Sequence, residues 1–427
     1  MADGITMLRV KSIIESDPAR RYVVVSAPGK RFGGDIKVTD LLYETYDNVA
    51  VNGETGAAFE KICERFRGIV SELKLDMDID AILAETGEAI VKEASPDFCA
   101  SRGEYLSGRV MAELLGISFI DARDVVKFGP DGKLDNKRTY ALLAEALKGK
   151  KRALVTGFYG EDANGRVKTF SRGGSDISGA IVARAAGADL YENWTDVSGF
   201  LACDPRIVEN PVPIRSLSYK ELRELSYMGA NVLHSESIFP VREVDIPIRI
   251  KNTFRPEDEG TEILPTSRYT YSGRRVTGIA GKKNFTVIFL EKSLMNEEIG
   301  FTYRTLAVFM KHGISFEHIP TGIDTMSFVI DSAELKGGLL EEMCDEIRAA
   351  VNPDSLRVIN DIALIAVVGH GMTRSVGVSA RLFEAIARAG VNVRMIDQGS
   401  SELNIIVGVD NENYERTLKA VYEEFFD

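Results

Sequence analysis

Val167–Phe170 leads directly into Ser171-Arg172-Gly173-Gly174-Ser175-Asp176, and Asp176–Ala186 beyond it is small and apolar. Strand, glycine loop and small-residue helix in that order demand an α/β unit whose helix packs tightly on a sheet. The glycines let backbone approach a ligand closely. The helix start offers unpaired N–H groups and a favourable dipole to an anion. An arginine there can hold a carboxylate or phosphate with two parallel hydrogen bonds. Arg21–Ala27 (RYVVVSA) is a second strand, running into Pro28-Gly29, and Ala153–Gly157, Leu190–Trp194 and Ile246–Lys251 are further strands. Val38–Gly116 is predominantly helical, broken near Asn52-Gly53 and Ser95-Pro96, and Tyr219–Phe239 reads as two helices. Such alternation predicts a layered α/β domain with a mainly parallel sheet, whose ligands sit beyond the carboxyl ends of the strands. The Ser26 and Arg172 loops both fall at such ends.

Residues 254–268 (FRPEDEGTEILPTSR) are polar, with two prolines and a glycine, and read as a linker. Beyond them lies a weak internal repeat. Its first copy has strands at Phe285–Glu291, Ile314–Ile319 and Thr325–Asp331, with helices at Gly300–Lys311 and Leu335–Ala350. The second has strands at Ile362–Val368, Val391–Ile396 and Glu402–Val409, with helices at Ser379–Ala389 and Tyr414–Phe425. Each is a βαββαβ unit of ferredoxin-like type.

A net charge of -12 argues against a nucleic-acid surface. The four cysteines (Cys63, Cys99, Cys203, Cys344) lack metal-type spacing and read as reduced thiols of a cytoplasmic protein. The first twelve residues have no apolar core of a signal peptide, and no run reaches membrane-spanning length. Four histidines, none paired at ligand spacing, leave a catalytic zinc or histidine base without support.

Ser171–Asp176 is followed by Trp194-Thr195-Asp196-Val197 and Asp204-Pro205-Arg206. Together these resemble the signature of the aspartate kinases within the amino-acid kinase family. Ser26-Ala27-Pro28-Gly29-Lys30 with Val38-Thr39-Asp40-Leu41-Leu42 is similar to that family's first substrate loop, and Ser101-Arg102-Gly103-Glu104 to its second. The resemblance implies a kinase domain at 1–264. It also implies two ACT domains, modules that bind amino acids at their interfaces, at 283–355 and at 274–282 plus 356–427. The implied reaction is ATP- and Mg²⁺-dependent phosphorylation of L-aspartate to 4-phospho-L-aspartate, with feedback by lysine or threonine and a homodimer or homotetramer joined through the ACT domains.

By the same resemblance Arg172 binds the α-carboxylate of aspartate and Glu104 its ammonium. Ser26, Thr39, Gly173, Gly174 and Ser175 line the substrate or its phosphoryl end, and Asp176 sits beside the reacting phosphate. Thr195 and Asp196 meet the base and ribose, Arg206 the phosphates, and Asn231 and Val232 complete the nucleotide side. Met295, Gly300, Phe301, Ser315 and Glu317 are the implied effector positions. Plainer readings stand beside these: Thr39, Ser175 and Asp176 also suit helix caps, Asp204-Pro205 also suits a turn, and the repeats also suit a dimer interface alone. Aspartate needs no general base, because its side chain is already ionised at pH 7.

The sequence departs from the family at one main point. The family opens with a strand running into Lys-Phe-Gly-Gly, whose lysine contacts ATP phosphates; Met1-Ala2-Asp3 matches only the tail of that motif. Met1 is therefore expected to be an internal methionine of a longer reading frame, and loss of the strand to expose a sheet edge or leave a gap. Arg31-Phe32-Gly33-Gly34 mimics the motif but follows the wrong strand. Leu201 stands where the family often has an aromatic residue, and Asn231 where it often has lysine. Two other readings remain open: another amino-acid kinase, and a catalytically impaired amino-acid sensor.

Overall fold

The first helix, α1 (Gly4–Glu15), begins where Asp3 and Thr6 close a reciprocal capping box: Thr6 N–H donates to Asp3 Oδ1 at 2.8 Å, and Asp3 N–H to Thr6 Oγ1 at 3.1 Å. The computed structural model describes residues 1–426 apart from 172, 231, 234–236, 270–272 and 374. It falls into two compact units, 1–199 with 232–267, and 200–231 with 268–427.

In the first unit the valines of β1 (Tyr22–Val25) lead into the Ser26 loop. Four helices come next: α2 (Val38–Asn52), α3 (Gly56–Leu73), α4 (Ile79–Glu93) and α5 (Pro96–Leu115). Ser95 caps α5, accepting from Phe98 N–H at 3.1 Å, and Pro96 suits its first turn. Phe98–Gly108 of α5 is buried almost without interruption, so this stretch of the helix runs through the core. Then come β2 (Ser118–Ile120), the one-turn α6 (Ala122–Val125), α7 (Asn136–Leu147) and β3 (Ala153–Thr156). β3 is buried at all four positions and lies between β1 and β2, parallel to both. An antiparallel pair, β4 (Tyr159–Glu161) and β5 (Val167–Thr169), precedes α8 (Gly174–Ala185) and β6 (Tyr191–Thr195).

Residues 200–231, with β7 (Ser216–Ser218) and α9 (Tyr219–Tyr227), belong to the second unit. The chain then returns to the first through a single turn, α10 (Phe239–Arg242), and β8 (Ile248–Asn252), which pairs in parallel with β6. Of the two helices expected over Tyr219–Phe239, the first is α9; the stretch expected to hold the second includes 231 and 234–236, which lie outside the described residues. Gly229, at φ +107°, takes the chain out of helical geometry after α9. The expected linker contains a strand, β9 (Thr261–Leu264), antiparallel to β8. Its prolines, 256 and 265, bracket the strand instead of breaking it. Among the described residues of this unit, the sheet is in two pieces, one ending at β1 and the other at β6, and α8 packs on both.

The second unit is built on two 14-residue strands, β10 (Gly278–Glu291) and β12 (Ser355–Val368). Between them lie α11 (Phe301–His312), β11 (Thr325–Asp331) and α12 (Leu339–Val351). After them come α13 (Val378–Arg388), β13 (Met395–Asp397), β14 (Asn404–Asp410) and α14 (Tyr414–Phe426). The antiparallel order is β11-β10-β12-β14-β13. Phe285–Glu291 pairs with β11 and the first half of β12, whereas Gly278–Lys282 pairs with Leu364–Val368 of the second copy, the halves being separated by register shifts. The strand expected at Ile314–Ile319 reduces to one bridge between His318 and Val329.

Candidate active site

The carboxyl ends of β1 and β3 organise the site. Gly157, just past β3, lies so close to β1 that a Cβ there would come 2.9 Å from Val25 O and 3.3 Å from Ser175 Oγ. The residue before Ser26 and the first turn of α8 thus meet at one point. From the other side comes Gly103 of α5, where a Cβ would stand 2.7 Å from Ala27 Cβ and 3.6 Å from Val38 Cγ1. The Ser26 loop, the start of α2 carrying Thr39 and the middle of α5 therefore converge.

Glu104 is the chemical centre of this convergence. It is 5% exposed; its Oε1 accepts from Ala27 N–H at 3.1 Å, and its Oε2 is buried without a hydrogen-bond partner. Burial pushes its pKa up to about 7, against the pull of the Ala27 N–H and of Arg102. Arg102 packs over the rings of Phe98, Tyr105 and Tyr159, at 4.3, 4.6 and 5.5 Å. A buried carboxylate oxygen without a donor is costly to a folded protein unless a ligand supplies one. An ammonium group would satisfy it.

The anion side is the start of α8. Gly173, at φ +57°, occupies the N-cap, and the next residue must be glycine because a Cβ on Gly174 would lie 2.4 Å from Phe158 Cδ2. Ser178 fastens the turn: its Oγ accepts from Phe158 N–H at 2.9 Å and donates to Gly174 O at 2.7 Å. Asp176 is oriented from β6: its Oδ1 accepts from Asn193 Nδ2 at 2.8 Å and its carbonyl from the Tyr191 hydroxyl at 3.0 Å. Burial raises the Tyr191 pKa, so that hydroxyl stays a donor. Arg172 lies outside the described residues.

Ser26 is exposed and Thr39 half-buried. Sequence reasoning passed over two residues that hold this frame. Arg65, 6% exposed, donates to Ala2 O at 3.0 Å, to Ile36 O at 3.2 Å and to Gly29 O, with Asp35 Oδ2 at 3.5 Å, and so ties down the loop between β1 and α2. Asn193 is the other. A buried asparagine amid β6 was the available signal, because such a side chain requires partners.

Comparison with known proteins decides the family. The amino acid kinase family profile matches residues 3–252, and an ACT domain profile residues 365–425. Aspartokinase 3 of Bacillus subtilis (strain 168) is 36% identical over 440 residues, spanning 100% of this chain and 96% of that protein. The crystal structure of Clostridium acetobutylicum aspartate kinase superposes with a TM-score of 0.95 at 49% identity, covering 99% of this chain and 97% of that one. The chain belongs to the aspartate kinases. E. coli aspartokinase III in complex with aspartate and ADP (R-state) superposes with a TM-score of 0.78 at 25% identity, covering 100% of this chain and 97% of that one. The same enzyme in complex with lysine and aspartate (T-state) gives 0.76 at 26%, with the same coverage. The reaction expected from the sequence, ATP-dependent phosphorylation of the aspartate side chain, is that of this family.

The remaining expected positions of this aspartate kinase fall in both units. Thr195 ends β6; its carbonyl accepts from Thr253 N–H at 2.8 Å and its hydroxyl donates to Asp196 Oδ1 at 3.2 Å. Arg206, in the second unit, is exposed and folded onto Asp204, with Nη2 2.6 Å from Oδ2. That pairing holds the Asp204 carboxyl below the usual carboxylate range. Val232 is half-buried, and Asn231 lies outside the described residues.

At the effector positions, Gly300 (φ +83°) caps α11. Glu298 braces the loop before it, bridging Lys292 (2.5 Å) and Arg304. Met295 and Phe301 are buried in the core of the first copy, so those two side chains do not face a ligand. Ser315 is exposed, and Glu317 N–H donates to Val329 O at 2.7 Å.

Proposed function

We propose that this aspartate kinase seats L-aspartate between Glu104 and the start of α8. Glu104 Oε2 takes the α-ammonium, Arg172 the α-carboxylate, and the side-chain carboxylate points at the γ-phosphoryl group beside Ser175 and Asp176. The observation that carries this reading is the buried, partnerless Glu104 Oε2, 5% exposed as a residue, in a site otherwise built for anions. Substrate carboxylate attacks phosphorus, ADP leaves, and no proton is transferred. The chain's task is to hold the partners in line and stabilise the transferring charge, using the N–H groups of the α8 start.

Asp176, oriented by Asn193, is the carboxylate that fits a hard, oxygen-seeking cation. Mg²⁺ carried on the nucleotide phosphates would neutralise charge there. Thr195 and Asp196, Arg206, and Asn231–Val232 are the proposed nucleotide contacts. Lysine is the effector favoured by the E. coli T-state complex, at Gly300, Ser315 and Glu317 of this chain. The protein works as a cytoplasmic homo-oligomer. Among the described residues, no helix is long and apolar enough to cross a membrane.

Hydroxylamine trapping of the acyl phosphate tests the substrate. L-Aspartate with MgATP gives a hydroxamate; L-glutamate and N-acetyl-L-glutamate, which misplace or lack the ammonium, do not. Equal product from N-acetyl-L-glutamate would refute the role of Glu104.

A further inference from the structure

His312 ends α11, and Gly313, at φ +66°, turns the chain away after it. The His312 side chain is 11% exposed. Its Nε2 is shut from water without an aligned hydrogen bond, although Glu346 Oε1 stands 3.2 Å away. A buried ring nitrogen in that state asks for a partner. Opposite it, α12 carries Glu342 and Glu346 at i and i+4, hence on one face of the helix. One ligand atom from each of His312, Glu342 and Glu346 lies within 4.8 Å of the other two. The set spans two helices that share one core, through Val308 and Phe309 of α11 and Met343 and Ile347 of α12. No spacing in the sequence announces it, because its members meet only when the first copy folds.

One imidazole with two carboxylates is a donor set for a divalent transition-metal ion. Imidazole suits Zn²⁺ and its neighbours, whereas Mg²⁺ prefers oxygen ligands and keeps its water. The two carboxylates balance the charge of such an ion, and the last carbonyls of α11 add negative potential on the His312 side. One cation already uses that potential: Lys311 Nζ lies 2.7 Å from Glu346 Oε1 and holds the Glu346 carboxyl below its ordinary value. Lys311 is 64% exposed, so its ammonium returns to water at little cost. Cys344 stands between the two glutamates in sequence but belongs to the core, and burial raises its pKa. It stays a thiol outside the set.

We propose that His312, Glu342 and Glu346 form a binding site for a divalent transition-metal ion such as Zn²⁺, which pins α11 to α12 in the first C-terminal copy. Three protein ligands leave a tetrahedral ion one position for water. The site lies wholly within the second unit, and the Mg²⁺ that accompanies ATP does not fill it.

The test uses the full, untagged chain, first stripped with a chelator. Zn²⁺ is titrated by calorimetry in excess Mg²⁺, and Co²⁺ by visible absorption. Saturation at a single equivalent is expected, with Co²⁺ bands of a nitrogen–oxygen site, no thiolate charge transfer, and a melting temperature that rises with Zn²⁺. Glu342→Gln and His312→Ala should each weaken Zn²⁺ binding at least about 10-fold, since loss of even a group that only orients a metal ligand costs that much. Lys311→Ala removes the competing ammonium and should tighten binding roughly 2- to 5-fold. Should His312→Ala fail to fold, Glu342→Gln, on an exposed side chain, carries the test. Absence of saturable Zn²⁺ binding would overturn the proposal. So would an affinity that Glu342→Gln leaves unchanged, which would mark an adventitious ion only, held by other donors.

Discussion

Glu104 carries the most consequence of any single residue. Its folded pKa, about 7, stands above the ordinary value of 4.5, so the folded protein binds that proton more tightly than the unfolded chain does. Its contribution to stability is full below about pH 4.5, is lost as pH rises through about 7, and levels off above. Melting curves of wild type and Glu104→Gln across pH 5 to 8, without substrate, should show their difference changing in that window and flat above it. A constant difference would place the ionisation elsewhere. Gly174 is a second point of leverage. Gly174→Ala drives a methyl to 2.4 Å from the Phe158 ring, at a residue already held at φ +76°. Destabilisation of about 1–3 kcal/mol is expected by denaturant titration, with a larger fall in kcat than in substrate affinity. Asn193→Ala removes the donor that aims Asp176, and should lower kcat by roughly 10-fold with KM for aspartate little changed. The role proposed for Glu104 comes from the resemblance of Ser-Arg-Gly-Glu, whereas its buried, partnerless oxygen was not legible there, because desolvation comes from residues distant in sequence.

Elements were read unevenly, for physical reasons. β1, β3, α5 and α8 follow from apolar runs, caps and glycines, all local signals. Two readings failed where tertiary context ruled. β9 hides in a polar stretch because only Thr261 and Ile263 face inward, an alternation too short to stand out. The stretch Ile314–Ile319 borders β11 but makes a single bridge to it, at His318. α9 shows the opposite case. Its Ser218–Glu221 capping box is visible in sequence, but that the same glutamate reaches Thr277 and His370 is not.

For the whole molecule, the continuity of β10 and β12 means that neither C-terminal copy is closed on its own, since each long strand serves both. That unit also exposes large apolar side chains: Ile299 is 95% exposed, Val376 92%, Met310 77% and Tyr303 75%. Such surface is what an oligomer covers. Light scattering at micromolar concentration should give at least twice the monomer mass, and Ile299→Asp with Val376→Asp should lower it. A monomer in the unaltered protein would refute the assembly. The most direct test of the account is the pH dependence of KM for aspartate, measured by hydroxamate formation with wild type and Glu104→Gln. The account predicts that wild-type KM falls as pH rises through about 7, as Glu104 becomes the carboxylate that receives the ammonium. Glu104→Gln should raise KM for aspartate roughly 10- to 100-fold and abolish that dependence, leaving KM for ATP unchanged. A variant with wild-type KM and the same pH profile would contradict it.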